Sequence, residues 1–187
     1  MVSNARGATD PVQDLATRTN EAEPAGGPWA AAAATPDPEL PMLTVADLGI
    51  LRAVEQKPGG GVVATITPTY SGCPAMREIS LDVRQRLQRA GYRDVEIRTQ
   101  LAPAWTSDWI TADGRRKLAA AAIAAPHAVA TKGATIPLQL GTTRRLVQCP
   151  HCGSQRTERT ADFSATACKA LHRCTECREP FEYVKDI

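Results

Sequence analysis

The 187-residue chain is poor in aromatic residues, eight in all, and has only three histidines. Long apolar runs are missing as well. The longest apolar stretch, residues 118–130, is alanine-rich and broken by Pro126, short of the about 20 consecutive apolar residues that span a bilayer. No membrane segment is expected. Nor does the beginning show a basic stretch followed by an apolar core and a cleavage site, so the expected location is cytoplasmic. An excess of one charge is also absent: 22 Lys and Arg stand against 20 Asp and Glu, which is not the clustered basic footprint of a nucleic-acid binder. The length excludes a multidomain enzyme and suits one domain with a small appendage.

Ala, Gly and Pro make up 17 of residues 1–36. With so few larger apolar groups to offset ordering entropy, this stretch is expected to be a disordered tail. Residues 37–146 are long enough for a compact core of their own. Within them, Thr44, Asp47 and Gly49 have the cap, third-position acid and C-terminal glycine of one helical turn. Residues 50–55 and 62–67 flank Lys57-Pro58-Gly59-Gly60-Gly61 and read as a hairpin. From Pro74, the apolar set Met76, Ile79, Val83, Leu87 and Ala90 steps by three and four, with Gly91 placed to end a helix. Residues 95–101 alternate as a half-buried strand. A second helix is predicted from about Thr111 to Ile123, before Pro126. The expected fold class is therefore α/β (α+β), in the order β-β-α-β-α. Residues 136–146 fit either a last strand or an extended connection.

Chemistry concentrates at cysteine. Six cysteines in a reducing compartment are poor disulfide candidates, and five fall within residues 149–177, a density typical of metal sites. Cys149-x2-Cys152 and Cys174-x2-Cys177, 21 residues apart, have the spacing of a four-cysteine zinc ribbon, in which each pair forms a tight turn around one structural zinc. A rubredoxin-like iron site and a redox dithiol are the competing readings. His151 reads as a turn residue, while Cys168 is a fifth thiol that replaces a ligand, stays free or serves a second site. Residues 147–187 are expected to depend on the metal for folding, and residues 37–146 to stay folded without them.

Cys73 lies in Thr67-Pro68-Thr69-Tyr70-Ser71-Gly72-Cys73-Pro74, between a strand and the first helix. The helix N-terminus is expected to lower its pKa, making it a nucleophile or soft-metal ligand; the alternative is a buried cap cysteine. Thr69 and Ser71 offer hydroxyl donors, and Gly72 permits close approach. His127 is the one candidate base outside the ribbon, so a Cys-His hydrolase is weakly supported. Trp105 and Trp109 lie in the loop after the third strand. Buried, they would be core anchors with Asp108 as a cap; exposed, a contact surface or a lid over the thiol. One of the two is expected in the core and the other at a contact, with nothing to choose which.

Asp37-Pro38-Glu39-Leu40-Pro41, Asp47-Leu48-Gly49, the Thr67 to Pro74 segment and Pro103-Ala104-Trp105-Thr106-Ser107-Asp108 together resemble the SufT-like domain of iron-sulfur cluster assembly factors. Adding Trp109, the segment from Phe163 to Leu171, Cys174, Cys177 and Glu179-Pro180-Phe181, residues 37–187 resemble the D-subunit family of phenylacetyl-CoA epoxidase systems. That resemblance implies a small iron-sulfur-assembly-type domain followed by a zinc ribbon, with Cys73 handling transient iron or an iron-sulfur cluster. Asp37, Glu39 and Asp47 match the family's acidic motif and are implied to position the thiol loop or a transient metal. The chain would then be a non-catalytic maturation factor in phenylacetate catabolism. Its partners would be the oxygenase and reductase subunits, with pairing of two copies through Cys73 left open. The rival reading is a stable structural subunit that docks through the tryptophan loop and the ribbon without handling metal. Nucleic-acid binding is set aside, because the ribbon offers only Phe181, Tyr183 and scattered arginines as a platform.

Overall fold

A computed structural model describes residues 26–127 and 146–187. Residues 1–25 of the expected tail, and residues 136–145, lie outside the described residues. The tail boundary at residue 36 is corrected, because helix α1 (Pro28–Ala33) already belongs to the core. Proline opens this helix, Ala32 is fully buried, and Trp29, Ala31 and Ala33 pack on the main apolar cluster. An alanine-rich composition conceals this contact, since alanine fits where larger side chains would not. Pro36 then bridges to Thr44, and Thr35 and Asp37 are both buried.

The first sheet has strands β1 (Leu51–Gln56), β2 (Val62–Ile66) and β3 (Val95–Thr99) in the order β1-β2-β3. β1 and β2 form the antiparallel hairpin, and β3 runs parallel to β2, with Val62 opposite Val95. Every residue of the central strand is buried, which accounts for its continuous run of small and β-branched residues. Helix α2 (Ala75–Arg89) crosses from β2 to β3 and buries Ala75, Ile79, Val83 and Leu87. Ala90 is exposed at the C-cap, with Gly91 at φ +100° behind it. There the Tyr92 N–H reaches the Leu87 carbonyl and the Gly91 N–H reaches that of Gln88, a Schellman ending that needs glycine.

After β3 come a 3-10 turn, Ser107–Trp109, and helix α3 (Ala112–Ala120), whose N-cap Thr111 accepts the Gly114 N–H. The expected helical turn near residue 44 is a reciprocal capping box: Asp47 accepts the Thr44 N–H at 2.8 Å, and Thr44 Oγ1 accepts the Asp47 N–H at 3.1 Å. Gly49 is required on two counts. Its φ is +66°, and a Cβ there would lie 2.6 Å from the Trp109 Cβ.

The second sheet, β4 (Thr157–Ala161), β5 (Lys169–Cys174) and β6 (Pro180–Val184), is an antiparallel meander. It is not an appended module. Ala124 donates to the Glu182 carbonyl at 2.9 Å, Val184 donates back to Ala124 at 3.0 Å, and Val184 joins the main apolar cluster. The Ser107 N–H also donates to the Ile187 oxygen at 3.1 Å. The segment leaving the second sheet thus packs into the core of the first, so whether residues 37–146 stay folded without the ribbon turns on how much these contacts contribute. Among the described residues, no helix is long and apolar enough to cross a membrane.

Candidate functional site

The two Cys-x2-Cys turns are near copies of each other. Cys149 donates its N–H to the Ser154 carbonyl at 2.9 Å, and Cys174 donates to that of Glu179 at 3.0 Å. The fourth residue after each leading cysteine has a left-handed backbone, Gly153 at φ +74° and Arg178 at φ +64°. These turns bring the sulfurs of Cys149, Cys152, Cys174 and Cys177 within 4.8 Å of one another. Across the turns, Cys149 and Cys177 are 3.7 Å apart, and Cys152 and Cys174 are 3.6 Å apart. A tetrahedral thiolate site with bonds of about 2.3 Å has edges of about 3.8 Å, so the donor set fits one cation with no open position. Val147, Phe181, Tyr183 and Ala124 pack around it.

Cys168 is not one of these four, which removes the ligand-replacement reading. It lines a different place, a cavity of about 40 Å³ between the two sheets, and there it joins Cys73. The first domain supplies most of the walls, from the Asp37, Glu39 and Leu40 loop, Leu48 and Ile50, the segment from Thr69 to Met76, Ile79 and Trp105. Cys168 in the turn before β5, Val184 at the end of β6, and Lys185 and Ile187 beyond it supply the opposite wall. Cys73 ends a tight turn in which its N–H reaches the Tyr70 carbonyl at 3.2 Å. Gly72 occupies the third turn position at φ +91°, the positive value of a type II turn, which favours glycine there.

The acidic loop is set by Asp37, whose Oδ1 accepts the N–H groups of Glu39 at 2.9 Å and Leu40 at 2.8 Å. Burial pushes the Asp37 carboxyl up despite those bonds, and Glu39 is raised by burial and by Asp37. The expected lowering of the Cys73 pKa is reversed. Burial pushes this thiol up; the Ala75 N–H at the start of α2 pulls it down, but Cys168, Glu39 and Asp37 add to the rise. Cys168 is likewise raised, chiefly by burial and also by Glu39, against the hydrogen bond from Thr166 and the charge of Lys169. A helix start favours a thiolate only where its surroundings are not already negative. The cavity therefore holds neutral thiols beside carboxylates, and a cation entering it would invert that preference.

Several residues expected to support the site lie elsewhere. Asp47 does not line the cavity; it pairs with Lys117 at 2.7 Å, tying the capped turn to α3. Thr67 is buried with its hydroxyl unpartnered, and Ser71 and Gly72 are exposed on the turn. Trp105 is the core anchor, donating Nε1–H to the Leu48 carbonyl at 2.8 Å. Trp109 is half-buried, with the Arg52 guanidinium 3.5 Å from its ring centre. The cap of the 3-10 turn is Thr106, and Asp108 is exposed. His127 bonds Asp186, Tyr183 and Leu146 and is not among the cavity-lining residues, which include no histidine. Sequence reasoning missed Tyr70, whose hydroxyl interacts with Cys73, and Lys169, whose charge acts on Asp37, Glu39 and Cys168. Both sit inside segments already singled out.

Residues 134–185 match the PaaD zinc beta ribbon domain, and residues 30–98 match the family described as iron-sulfur cluster assembly protein. Over 159 residues the chain is 44% identical to an Escherichia coli (strain K12) protein named as the D subunit of a "Putative 1,2-phenylacetyl-CoA epoxidase", covering 85% of this chain and 91% of that one. The chain belongs to the phenylacetyl-CoA epoxidase D-subunit family. A Porphyromonas gingivalis (strain ATCC BAA-308 / W83) protein named Fe-S protein maturation auxiliary factor is 34% identical over 83 residues, 44% of this chain and 78% of that one. Among solved structures, a DUF59 domain from Bacillus anthracis matches 49% of this chain and 87% of its own at 26% identity, with a TM-score of 0.45. The second sheet falls inside the zinc-ribbon match, and the cavity is lined from both matched regions and by Trp105.

Proposed function

We propose that this protein is a non-catalytic accessory factor of the phenylacetyl-CoA epoxidase system that handles iron, or an iron-sulfur cluster, as cargo at Cys73. The observation that carries this reading is the cavity itself: a thiol on a glycine-bearing turn, faced by Glu39 and a second thiol, in a domain matched to iron-sulfur assembly proteins. Cys149, Cys152, Cys174 and Cys177 hold a structural zinc, whose binding free energy contributes to folding of the ribbon. Asp37 fixes the loop that presents Glu39, and Cys73 gives up its proton to solvent as the cargo binds. With no histidine in the cavity lining to act as a base, thiol-based hydrolysis is disfavoured. The recipients are the oxygenase and reductase subunits, met in the cytoplasm.

The test is zinc, iron and sulfide analysis with an absorption spectrum on anaerobically purified protein, wild type against Cys73→Ala, together with oxygenase activity in cells carrying each. One zinc in both, labile iron only in wild type and loss of oxygenase activity in the variant are expected. Equal activity in both, and no iron even after reconstitution, would make the protein a stable structural subunit instead.

A further inference from the structure

We propose that the outer edge of β3 is an interface for a second copy of this chain: two β3 strands pair antiparallel about a two-fold axis at Ile97, joining the two three-stranded sheets into one. The β2–β3 ladder opens with the Val62 N–H on the Asp94 carbonyl and closes with the Gln100 N–H on the Ile66 carbonyl, both at 2.8 Å. In a parallel pair with Val62 opposite Val95, residues 94, 96, 98 and 100 therefore bond β2, and Val95, Ile97 and Thr99 turn their N–H and C=O groups outward. Arg84 of α2 agrees with this, since its guanidinium reaches the Val95 carbonyl from outside the ladder. Among the described residues no strand covers this edge, and no backbone group bonds Ile97 or Thr99 there.

Charges on an open edge commonly keep it from pairing, but here their order selects a partner. With Ile97 opposite Ile97, Glu96 of each copy falls opposite Arg98 of the other, so the strand is complementary to itself. The outward backbone groups come into phase in the same register. Ile97 exchanges both N–H···O=C bonds with its counterpart, and Val95 faces Thr99. The Glu96 and Arg98 positions then form the non-hydrogen-bonded pairs, in which Cα atoms are about 4.5 Å apart and side chains approach most closely. A slip of one residue would set outward backbone groups against inward ones. A slip of two would set Glu96 opposite Glu96, or Arg98 opposite Arg98. Within one copy Glu96 bonds Lys57 at 2.6 Å and Arg98 at 3.1 Å, but these side chains are exposed, so exchanging Arg98 for that of a second copy costs little. Ile97, half-buried against the main apolar cluster, gains its own counterpart as cover. None of this depends on what Cys73 carries.

Analytical ultracentrifugation of the zinc-loaded full chain over a concentration series reads the dimer, and residue-resolved amide exchange reads the strand. Wild type should dimerise reversibly. Its Val95 and Ile97 amides should exchange more slowly as concentration rises, while those of Glu96 and Arg98, bonded to β2, stay protected throughout. Glu96→Arg and Arg98→Glu should each weaken the dimer roughly tenfold or more, because each sets like charges opposite one another twice. An equimolar mixture of the two variants should recover it, since one strand then carries two arginines and the other two glutamates. Cys73→Ala should dimerise like wild type. A wild type that is monomeric at every concentration, a dimer that neither charge variant weakens, or a mixture that stays monomeric would overturn the proposal. Loss of the dimer in Cys73→Ala would overturn it too, by placing the contact at the thiol cavity. Were a charge variant to lose its fold, wild-type exchange alone would decide, and an Ile97 amide insensitive to concentration would overturn the pairing.

Discussion

The four-sulfur group and the Cys73 cavity both start from a cysteine on a tight turn, and they end with opposite properties. In the ribbon, two copied turns face each other, and every donor is a sulfur within 4.8 Å of the rest. At the cavity a single turn faces a carboxylate loop and a thiol from the turn before β5, and burial pushes the Cys73 thiol up. Self-facing repeats of one local turn produce a closed site, because each copy fills half of the same tetrahedron. A cavity that brings together unlike groups from distant segments has no such internal symmetry. Its geometry depends on how the two sheets pack, and it stays open.

Cys149→Ser should break this contrast most severely. It removes one of the four proposed zinc ligands, so the chain should lose the metal and the ribbon its order. Because Val184 is part of the main core, the first domain should suffer as well. Uncovering such a side chain costs about 1.5–3 kcal/mol, or a melting temperature lower by about 3–12 °C in a chain of this size. Calorimetry that shows the first domain melting unchanged would mean that the two regions are energetically independent.

A smaller effect is expected at Asp47, a charge used for structure rather than for the cavity. Burial opposes its ionisation, but Lys117 and the Thr44 groups hold its carboxyl below the usual range. A depressed carboxylate stabilises the fold above the unfolded value of about 3.9, and that stabilisation is lost as pH falls through the folded value. Asp47→Ala should therefore cost about 1–2 kcal/mol at neutral pH, and the gap from wild type should narrow in acid. A gap that is constant with pH would show that the charge contributes nothing.

Asp37 should give the smallest change, and one of opposite sign. Its carboxyl is raised by burial, so its ionised form weakens the fold at neutral pH, and this cost disappears below the unfolded value, where both states are protonated. An asparagine at this position would keep an oxygen for the Glu39 and Leu40 N–H groups. Asp37→Asn should thus raise the melting temperature at pH 7 and have no effect in acid. A lower melting temperature at pH 7 would show that this charge supports its loop.

What was legible in the sequence was whatever repeats at short range. The three-and-four spacing of Ile79, Val83 and Leu87, the glycine turn before Val62, and the paired Cys-x2-Cys spacing each encode a local geometry, and the elements formed where those patterns lay. The role of Asp47 was legible only in part: its capping spacing with Thr44 was visible, but its partner Lys117, 70 residues away, was not. Helix α1 escaped notice because alanine packs without an amphipathic signature. The choice between Trp105 and Trp109 turned on a hydrogen bond to Leu48 and an arginine stacked from β1, both tertiary. The rise in the Cys73 pKa and the arrival of Cys168 in the same cavity had no local sign at all.

The shared wall of the cavity also sets an order of events during synthesis. At about 5–20 residues per second, Cys73 leaves the ribosome roughly 5–20 s before Cys168, and Val184, Lys185 and Ile187, which also line the cavity, follow later still. A nascent chain therefore carries the thiol turn and its acidic loop without the opposite wall. Only a chain translated through its ribbon has both walls of the pocket, so a product truncated before the ribbon lacks half of the proposed cargo site.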